Sequence, residues 1–168
     1  MSHTIDFHLN GMSVQAQAGD TLWEVAQRHG IPIPHLCHKP GYRPDGNCRA
    51  CVVEVEGERT LAPSCCRSAT PGMQVQTNSE RAVKSQKMVL EMLLADLPEQ
   101  GHKWLDDRAE APHGELSQWA EHHGVAVRPA LAELRREAVP ADLTHPAMAV
   151  NLDACIQCNR CQRACRDL

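Results

Sequence analysis

The sequence predicts an α+β chain: a small mixed sheet crossed by one helix, then a helical connector, then a short cysteine-rich segment. Three observations carry that expectation. Apolar and polar residues alternate at 4–9, 13–18 and 73–79, the two-residue period of half-buried strands. Residues 21–30 and 80–97 place apolar side chains three and four apart, the helical period. Nine cysteines fall into two groups, Cys37 to Cys66 and Cys155 to Cys165, with none between them.

The elements follow in order. "TIDFHL" alternates Ile5, Phe7 and Leu9 against polar neighbours, and "SVQAQA" resumes the alternation after Asn10-Gly11, which reads as a hairpin. "GDTLWEVAQRHG" offers Thr21 with Glu24 three residues on as a capping box, an apolar face of Leu22, Val25 and Ala26, and Gly30 as the stop. Residues 31–50, "IPIPHLCHKPGYRPDGNCRA", hold four prolines and two glycines. Such a stretch cannot be regular helix or central strand, so it must be a loop held by something other than ladder hydrogen bonds. "CVVEVEGERTLAPSC" reads as two strands about Gly57, and "MQVQTNS" as a last strand turning Met73, Val75 and Thr77 inward. These elements make a first domain over residues 1–79.

Residues 80–97, "ERAVKSQKMVLEMLLADL", predict a helix with an apolar face of Val83, Val89, Leu90, Leu93, Leu94 and Leu97, stopped before Pro98. A polar, turn-rich stretch over 98–114 precedes two short helical patterns, "ELSQWAEHHG" at 115–124 and "PALAELRREA" at 129–138. Pro129 suits the first helical position of the second, and the "ELRREA" charges read as an exposed face with local ion pairs. Residues 80–146 are thus expected to be a helical connector and 147–168 a separate cysteine motif.

Composition narrows the function classes. Apolar residues make up 42%, but there are only three Trp, one Tyr and one Phe, so the core should rest on Val, Leu, Ala and Met with help from bound inorganic groups. The net charge of -4 and the scattered Lys and Arg supply no field for phosphates, which argues against a nucleic-acid partner. No run of eighteen apolar residues and no basic-then-apolar leader occurs; the expectation is a cytoplasmic protein with no membrane partner. An odd number of thiols in an unexported chain does not suit a disulfide framework and points to metal.

Cys37, Cys48, Cys51 and Cys65 form a C-x10-C-x2-C-x13-C array. Iron in a sulfide cluster needs soft thiolates, and a two-iron cluster needs two on each side. Gly41, Gly46, Asn47 and Ala50 leave room for backbone N–H groups to approach the sulfurs. A zinc site would want a second CxxC element beside Cys48-Cys51. His35 and His38 flank Cys37 and offer an imidazole alternative, which a complete set of four cysteines does not need. Cys66 is read as a buried small thiol beside the set.

"CIQCNRCQRACRDL" carries C-x2-C-x2-C-x3-C, the spacing of a [4Fe-4S] half-motif. Cys155, Cys158 and Cys161 would hold three corners of one cube, and Cys165, leading into a helix, would ligate a second cluster. No later cysteine supplies the remaining ligands, so the motif is incomplete and these residues are expected to be part of a longer electron-transfer polypeptide. His122-His123 on the connector is read as solvated.

The stretch "PHLCHKPGYRPDGNCRACVVEVEGERTLAPSC" resembles the ferredoxin-like β-grasp domain that opens iron-only hydrogenases, the large iron-sulfur subunit of respiratory NADH dehydrogenase, and NAD-dependent molybdenum or tungsten formate dehydrogenases. The resemblance implies a [2Fe-2S] cluster. Its fourth ligand lies seven residues before a Gly-Met pair, and counting back from Gly72-Met73 selects Cys65. The NADH dehydrogenase subunits and many of the hydrogenases carry a further cluster on H-x3-C-x2-C-x5-C between the two cysteine regions; here that region holds His102 and His113 but no cysteine. With "LTHPAMAVNLDACIQC", this resembles most the catalytic (alpha) subunit of soluble formate dehydrogenases. That implies a downstream catalytic domain with molybdopterin holding Mo or W, a flavin- and NAD-binding iron-sulfur partner subunit in a hetero-oligomer, and oxidation of formate to carbon dioxide with reduction of NAD. No catalytic residue of such an enzyme falls in this chain, and no G-x-G-x-x-G fingerprint occurs. Two rivals come from other classes: an independent ferredoxin-like shuttle and a zinc-stabilised interaction module.

Overall fold

A computed structural model describes residues 4–98 and 114–167. Backbone packing divides the chain into two units, Met1–Gln86 with Asn159–Leu168, and Lys87–Cys158.

In the first unit, β1 (Thr4–Leu9) and β2 (Met12–Gln17) pair antiparallel with Leu9 opposite Met12. The turn residues Asn10 and Gly11 have φ of 52° and 81°, the two positive angles a two-residue hairpin of this twist requires. The Asn10 side chain also ties this turn to Thr77, donating to its Oγ1 at 2.8 Å and accepting from its amide at 2.8 Å. Helix α1 (Leu22–Arg28) starts at the predicted capping box, with Thr21 and Glu24 bonding reciprocally. It ends with the amides of Gly30 and Ile31 turned back onto the carbonyls of Gln27 and Ala26, the pattern of a glycine-closed helix.

Three more strands complete the sheet: β3 (Val52–Val55), β4 (Ala62–Pro63) and β5 (Gln74–Gln76). The order is β2-β1-β5-β3-β4, with β1 and β5 parallel and the other pairs antiparallel. First and last strands thus lie side by side at the centre. Phe7, Leu9, Val14, Val25, Val53 and Val75 are buried together with Leu22 and Trp23 of α1, so the helix covers one face of the sheet. This is the α+β arrangement the alternation pattern predicts, on a mainly aliphatic core with one Phe and one Trp.

Helix α2 (Glu80–Ala95) begins where Ser79 caps the amide of Ala82 at 3.2 Å. Its most buried positions are Ala82, Gln86, Leu90 and Glu91, a stripe of i, i+4 spacing. That differs from the predicted apolar face: Leu90 belongs to the stripe, while Val83, Val89, Leu93, Leu94 and Leu97 are half-buried. The reason is polar. Gln86, 2% exposed, donates to the carbonyls of Val52 at 2.9 Å and Thr77 at 3.3 Å, which satisfies strand-end acceptors that an apolar residue would leave unpaired.

The second unit holds α3 (Glu115–His122), α4 (Pro129–Ala132) and an antiparallel hairpin of β6 (Asp142–His145) and β7 (Met148–Val150) that the sequence pattern did not suggest. Helix α4 is one turn long, not the ten residues expected. Beyond Glu133 the amides of Leu134 and Arg135 still turn back onto the carbonyls of Leu131 and Ala132, while the side chains of Arg135 and Arg136 reach elsewhere. Arg135 pairs with Asp153 at 3.2 Å, and Arg136 donates to the carbonyls of Leu152, Asp153 and Cys155. These charges therefore make distant bonds, not the local ion pairs predicted. His123 is half-buried against Trp119 and His122, and burial lowers its pKa; His122 is exposed as expected. The stretch 99–113, with His102 and His113, lies outside the described residues. The chain returns to the first unit in α5 (Arg160–Asp167). Among the described residues no helix is long and apolar enough to cross a membrane.

Candidate metal centre

The irregular loop of residues 31–51 and the ends of two strands bring the first four predicted thiols together. Cys51 immediately precedes β3 and Cys65 lies two residues beyond β4, after Ser64. The ladder pins them opposite each other: the Ser64 amide and hydroxyl both donate to the Cys51 carbonyl, at 3.1 and 2.7 Å. Their sulfurs stand 3.4 Å apart. Helix α1 holds the same segment from the other side, because its first amides, Leu22 and Trp23, donate to the carbonyls of Arg67 and Ser64. Those amides have no partner within the helix, so the Cys65 strand end satisfies them.

Cys37 and Cys48 form the second pair across the loop. The amides of Cys48 and Asn47 donate to the Cys37 sulfur; those of Cys37, at 3.5 Å, and Ala50 donate to the Cys48 sulfur. Backbone N–H groups thus point at the sulfurs, as the small residues of the loop predict. Left-handed angles at Gly46 (φ 63°) and Arg49 (φ 59°) supply the curl. Cys37, Cys51 and Cys65 are almost fully buried, and Cys48 is half-buried.

The thiols share protons pairwise. Hydrogen bonds from Cys48 and then Cys65 hold Cys37 far below the usual thiol range, while the same bond to Cys37, with burial, pushes Cys48 up. Cys51 is lowered from 9.0 to about 7, chiefly by Cys65, and Cys65 is pushed up by its bonds to Cys37 and Cys51. The four thiols are thus joined in one hydrogen-bonded chain, Cys48 to Cys37 to Cys65 to Cys51, and the protons held in it are lost when metal charge replaces them. Among the described residues no three His, Cys, Asp or Glu side chains are grouped to hold a single metal ion. Four soft thiols gathered at one loop, with backbone N–H groups aimed at the sulfurs of Cys37, Cys48 and Cys51, suit a [2Fe-2S] cluster.

Three side chains surround the set. Cys66 is exposed, its sulfur 3.6 Å from that of Cys65, so the expectation of a buried thiol is corrected. Gly46 accommodates it, since a Cβ there would lie 2.8 Å from the Cys66 sulfur. His38 is buried edge-on against Trp23 with ring centroids 4.6 Å apart, and burial lowers its pKa. His35 sets its Nδ1 3.0 Å from the Ile33 carbonyl. Both imidazoles serve the packing of the Cys37 loop.

The second motif is split. Cys155 and Cys158 lie in the Lys87–Cys158 unit, and Cys161 and Cys165 lie on α5 in the other. Helix α5 starts before Cys161, earlier than predicted. Cys155, Cys161 and Cys165 are exposed and Cys158 is half-buried. Gln157 and Asn159, with φ of 54° and 57°, flank Cys158 in the left-handed region, and Cys155 lines a cleft of about 150 Å³ with Leu93, Arg136 and Ile156.

Sequence reasoning passed over the arginines of α5. Arg163, 1% exposed, donates to the carbonyls of Cys37 and Arg43 and lies 3.4 Å from Asp45, with its guanidinium 5.8 Å from the Tyr42 ring centre. Arg160 donates to the His38 carbonyl at 2.7 Å. The available signal was the helical period: 160 and 163 share one face, 161 and 165 the opposite one.

A β-grasp-like sheet with four thiols gathered on its loop and strand ends is the arrangement of the ferredoxin-like class. Residues 2–80 match the family described as the 2Fe-2S iron-sulfur cluster binding domain, which supports a [2Fe-2S] cluster binding domain over this part of the chain. Over 167 residues the chain is 32% identical to an NADH-quinone oxidoreductase subunit of Rhizobium meliloti, covering 95% of this chain and 18% of that protein. It is 33% identical to the NADP-reducing hydrogenase subunit HndD of Solidesulfovibrio fructosivorans, covering 94% of this chain and 27% of that one. A chain in the crystal structure of an NAD+-reducing [NiFe]-hydrogenase in the H2-reduced state superimposes with a TM-score of 0.77 at 31% identity, covering 95% of this chain and 65% of that chain. The chain thus spans about a fifth to a quarter of the length of these two curated relatives.

Proposed function

We propose that the chain is an electron-transfer segment of a larger oxidoreductase subunit, with Cys37, Cys48, Cys51 and Cys65 as the ligands of its [2Fe-2S] cluster. The observation that carries this reading is the gathering of the four thiols at one loop, with Cys51 and Cys65 sulfur to sulfur at 3.4 Å and the Cys37 amide on the Cys48 sulfur at 3.5 Å, so that two thiols can ligate each iron. When bound, such a cluster carries one electron at a time. The protein's own part is to exclude water from Cys37, Cys51 and Cys65, to aim the amides of Asn47, Cys48 and Ala50 at the sulfurs, and to release the shared protons on loading.

Cys155, Cys158 and Cys161 are proposed as [4Fe-4S] ligands, with Cys165 directed to a further cluster, on the strength of their spacing. The oxidoreductases named among the relatives support a multi-subunit assembly and a hetero-oligomer. The finer reading, a formate dehydrogenase alpha subunit with molybdopterin downstream and a flavin- and NAD-binding partner, rests on the cysteine-free stretch between Cys66 and Cys155. That stretch offers no thiolates for the intermediate cluster of the NADH dehydrogenase and hydrogenase types.

Iron and acid-labile sulfide analysis with EPR of the dithionite-reduced, anaerobically purified chain tests the ligand reading. Two irons and two sulfides with a rhombic signal that persists on warming are expected for the first site, and any further iron belongs to the second motif. Zinc without labile sulfide would overturn it in favour of an interaction module.

A further inference from the structure

The second cysteine motif does more than present thiols: its helix reaches into the first site. On α5, Cys161 and Cys165 face outward while Arg160 and Arg163 face the Cys37 loop. The side chain of Arg163 is 1% exposed, and its two terminal nitrogens donate to the carbonyls of Cys37 and Arg43, one a ligand residue and the other a residue of the same loop. A planar fork of donors spanning two carbonyls fixes loop geometry in a way a single ammonium cannot. It is also a buried cation beside an anionic ligand set, where water screens it little. Its carboxylate counterpart is Asp45, 3.4 Å from Nε, with its side chain 26% exposed.

We propose that Arg163 is a positioning residue for the [2Fe-2S] site, clamping the Cys37 loop from α5 and stabilising the reduced state of the cluster, with Asp45 acting in the opposite sense. This rests on the ligand reading above. One-electron reduction adds one negative charge to the cluster, and a fixed cation at the Cys37 carbonyl favours the more negative form. Asp45 partly cancels that field. The matched domain ends at residue 80, so the clamp is contributed by a part of the chain outside it.

The test uses the full chain, loaded anaerobically, with midpoint potentials from EPR-monitored redox titration and cluster loss timed in chelator. Arg163→Gln is expected to move the midpoint negative and to speed cluster loss by roughly tenfold, the scale of one charge-assisted hydrogen bond. Arg163→Lys keeps the charge and loses the fork, so its midpoint should stay near that of the unsubstituted chain while cluster loss quickens. Asp45→Asn should move the midpoint positive. Shifts of the same sign in Arg163→Gln and Asp45→Asn, or no shift in either, would overturn the proposal. Should Arg163→Gln fail to hold a cluster, the sign of the Asp45→Asn shift and the behaviour of Arg163→Lys decide. Absence of any two-iron signal in the unsubstituted chain would instead strike the ligand reading on which the proposal stands.

Discussion

Adjacent cysteines with different surroundings make the sharpest test at the scale of single residues. Cys65 is fully buried, bonded to Cys51 and anchored by its neighbours to α1, whereas Cys66 lies exposed 3.6 Å away. Cys65→Ser should abolish or reshape the two-iron EPR signal and Cys66→Ser should leave it; the reverse result would reassign the fourth ligand. Gly46 is tested by substitution with alanine. Its φ of 63° is left-handed and the new Cβ would stand 2.8 Å from the Cys66 sulfur, so Gly46→Ala should cost about 1–2 kcal/mol from backbone strain alone. Adding Cys66→Ala should recover only the contact part, as chemical denaturation would read. That Cys37, Cys48, Cys51 and Cys65 would come together was legible, three from their spacing in one loop and Cys65 from the family resemblance. The burial of Arg163 and the exposure of Cys66 were not, since both depend on which segment, distant in sequence, arrives beside the loop.

At the scale of elements, legibility followed the locality of the forces. The hairpin, its Asn10-Gly11 turn and the capping box of α1 are decided by residues within a few positions of one another, and the structure keeps all of them. The bonds of Arg135 and Arg136 and the polar stripe of α2 are not local, because these side chains and that of Gln86 find their partners far along the chain. Gln86→Leu removes the donor shared by the Val52 and Thr77 carbonyls, and the loss of those bonds should cost about 1–3 kcal/mol, readable as a lower urea midpoint. Glu91 on the same helix accepts from the Arg128 side chain at 2.7 Å and its amide at 3.0 Å. The Arg128 side chain and then its amide hold the Glu91 carboxyl below its ordinary 4.5. A depressed carboxylate stabilises above its ordinary value and loses that contribution as pH falls through its folded value. Acid titration by circular dichroism should therefore show the stability gap between the unsubstituted chain and Glu91→Gln closing below about pH 4.5.

At the scale of the whole molecule, the two cysteine groups meet the two compact units unevenly. The first group lies entirely in one unit; the second places Cys155 and Cys158 in the other unit and Cys161 and Cys165 on α5, whose arginines hold the Cys37 loop. The sequence spacing announced two motifs but not this division, because spacing records which thiols are near in chain order and not what the intervening side chains grip. A consequence distinguishes the halves of the second motif. Cys155→Ser with Cys158→Ser changes thiols of the Lys87–Cys158 unit alone, so the two-iron EPR signal and its rate of loss in chelator should match the unsubstituted chain, even where total iron falls. Replacing Cys161 and Cys165 by serine keeps the outer face of α5 polar and leaves Arg160 and Arg163 in place, so it too should spare the signal. If the first pair of substitutions alone weakened the two-iron signal, Cys155 or Cys158 would be contributing to that cluster, and the assignment of Cys37, Cys48, Cys51 and Cys65 as its complete ligand set would fail.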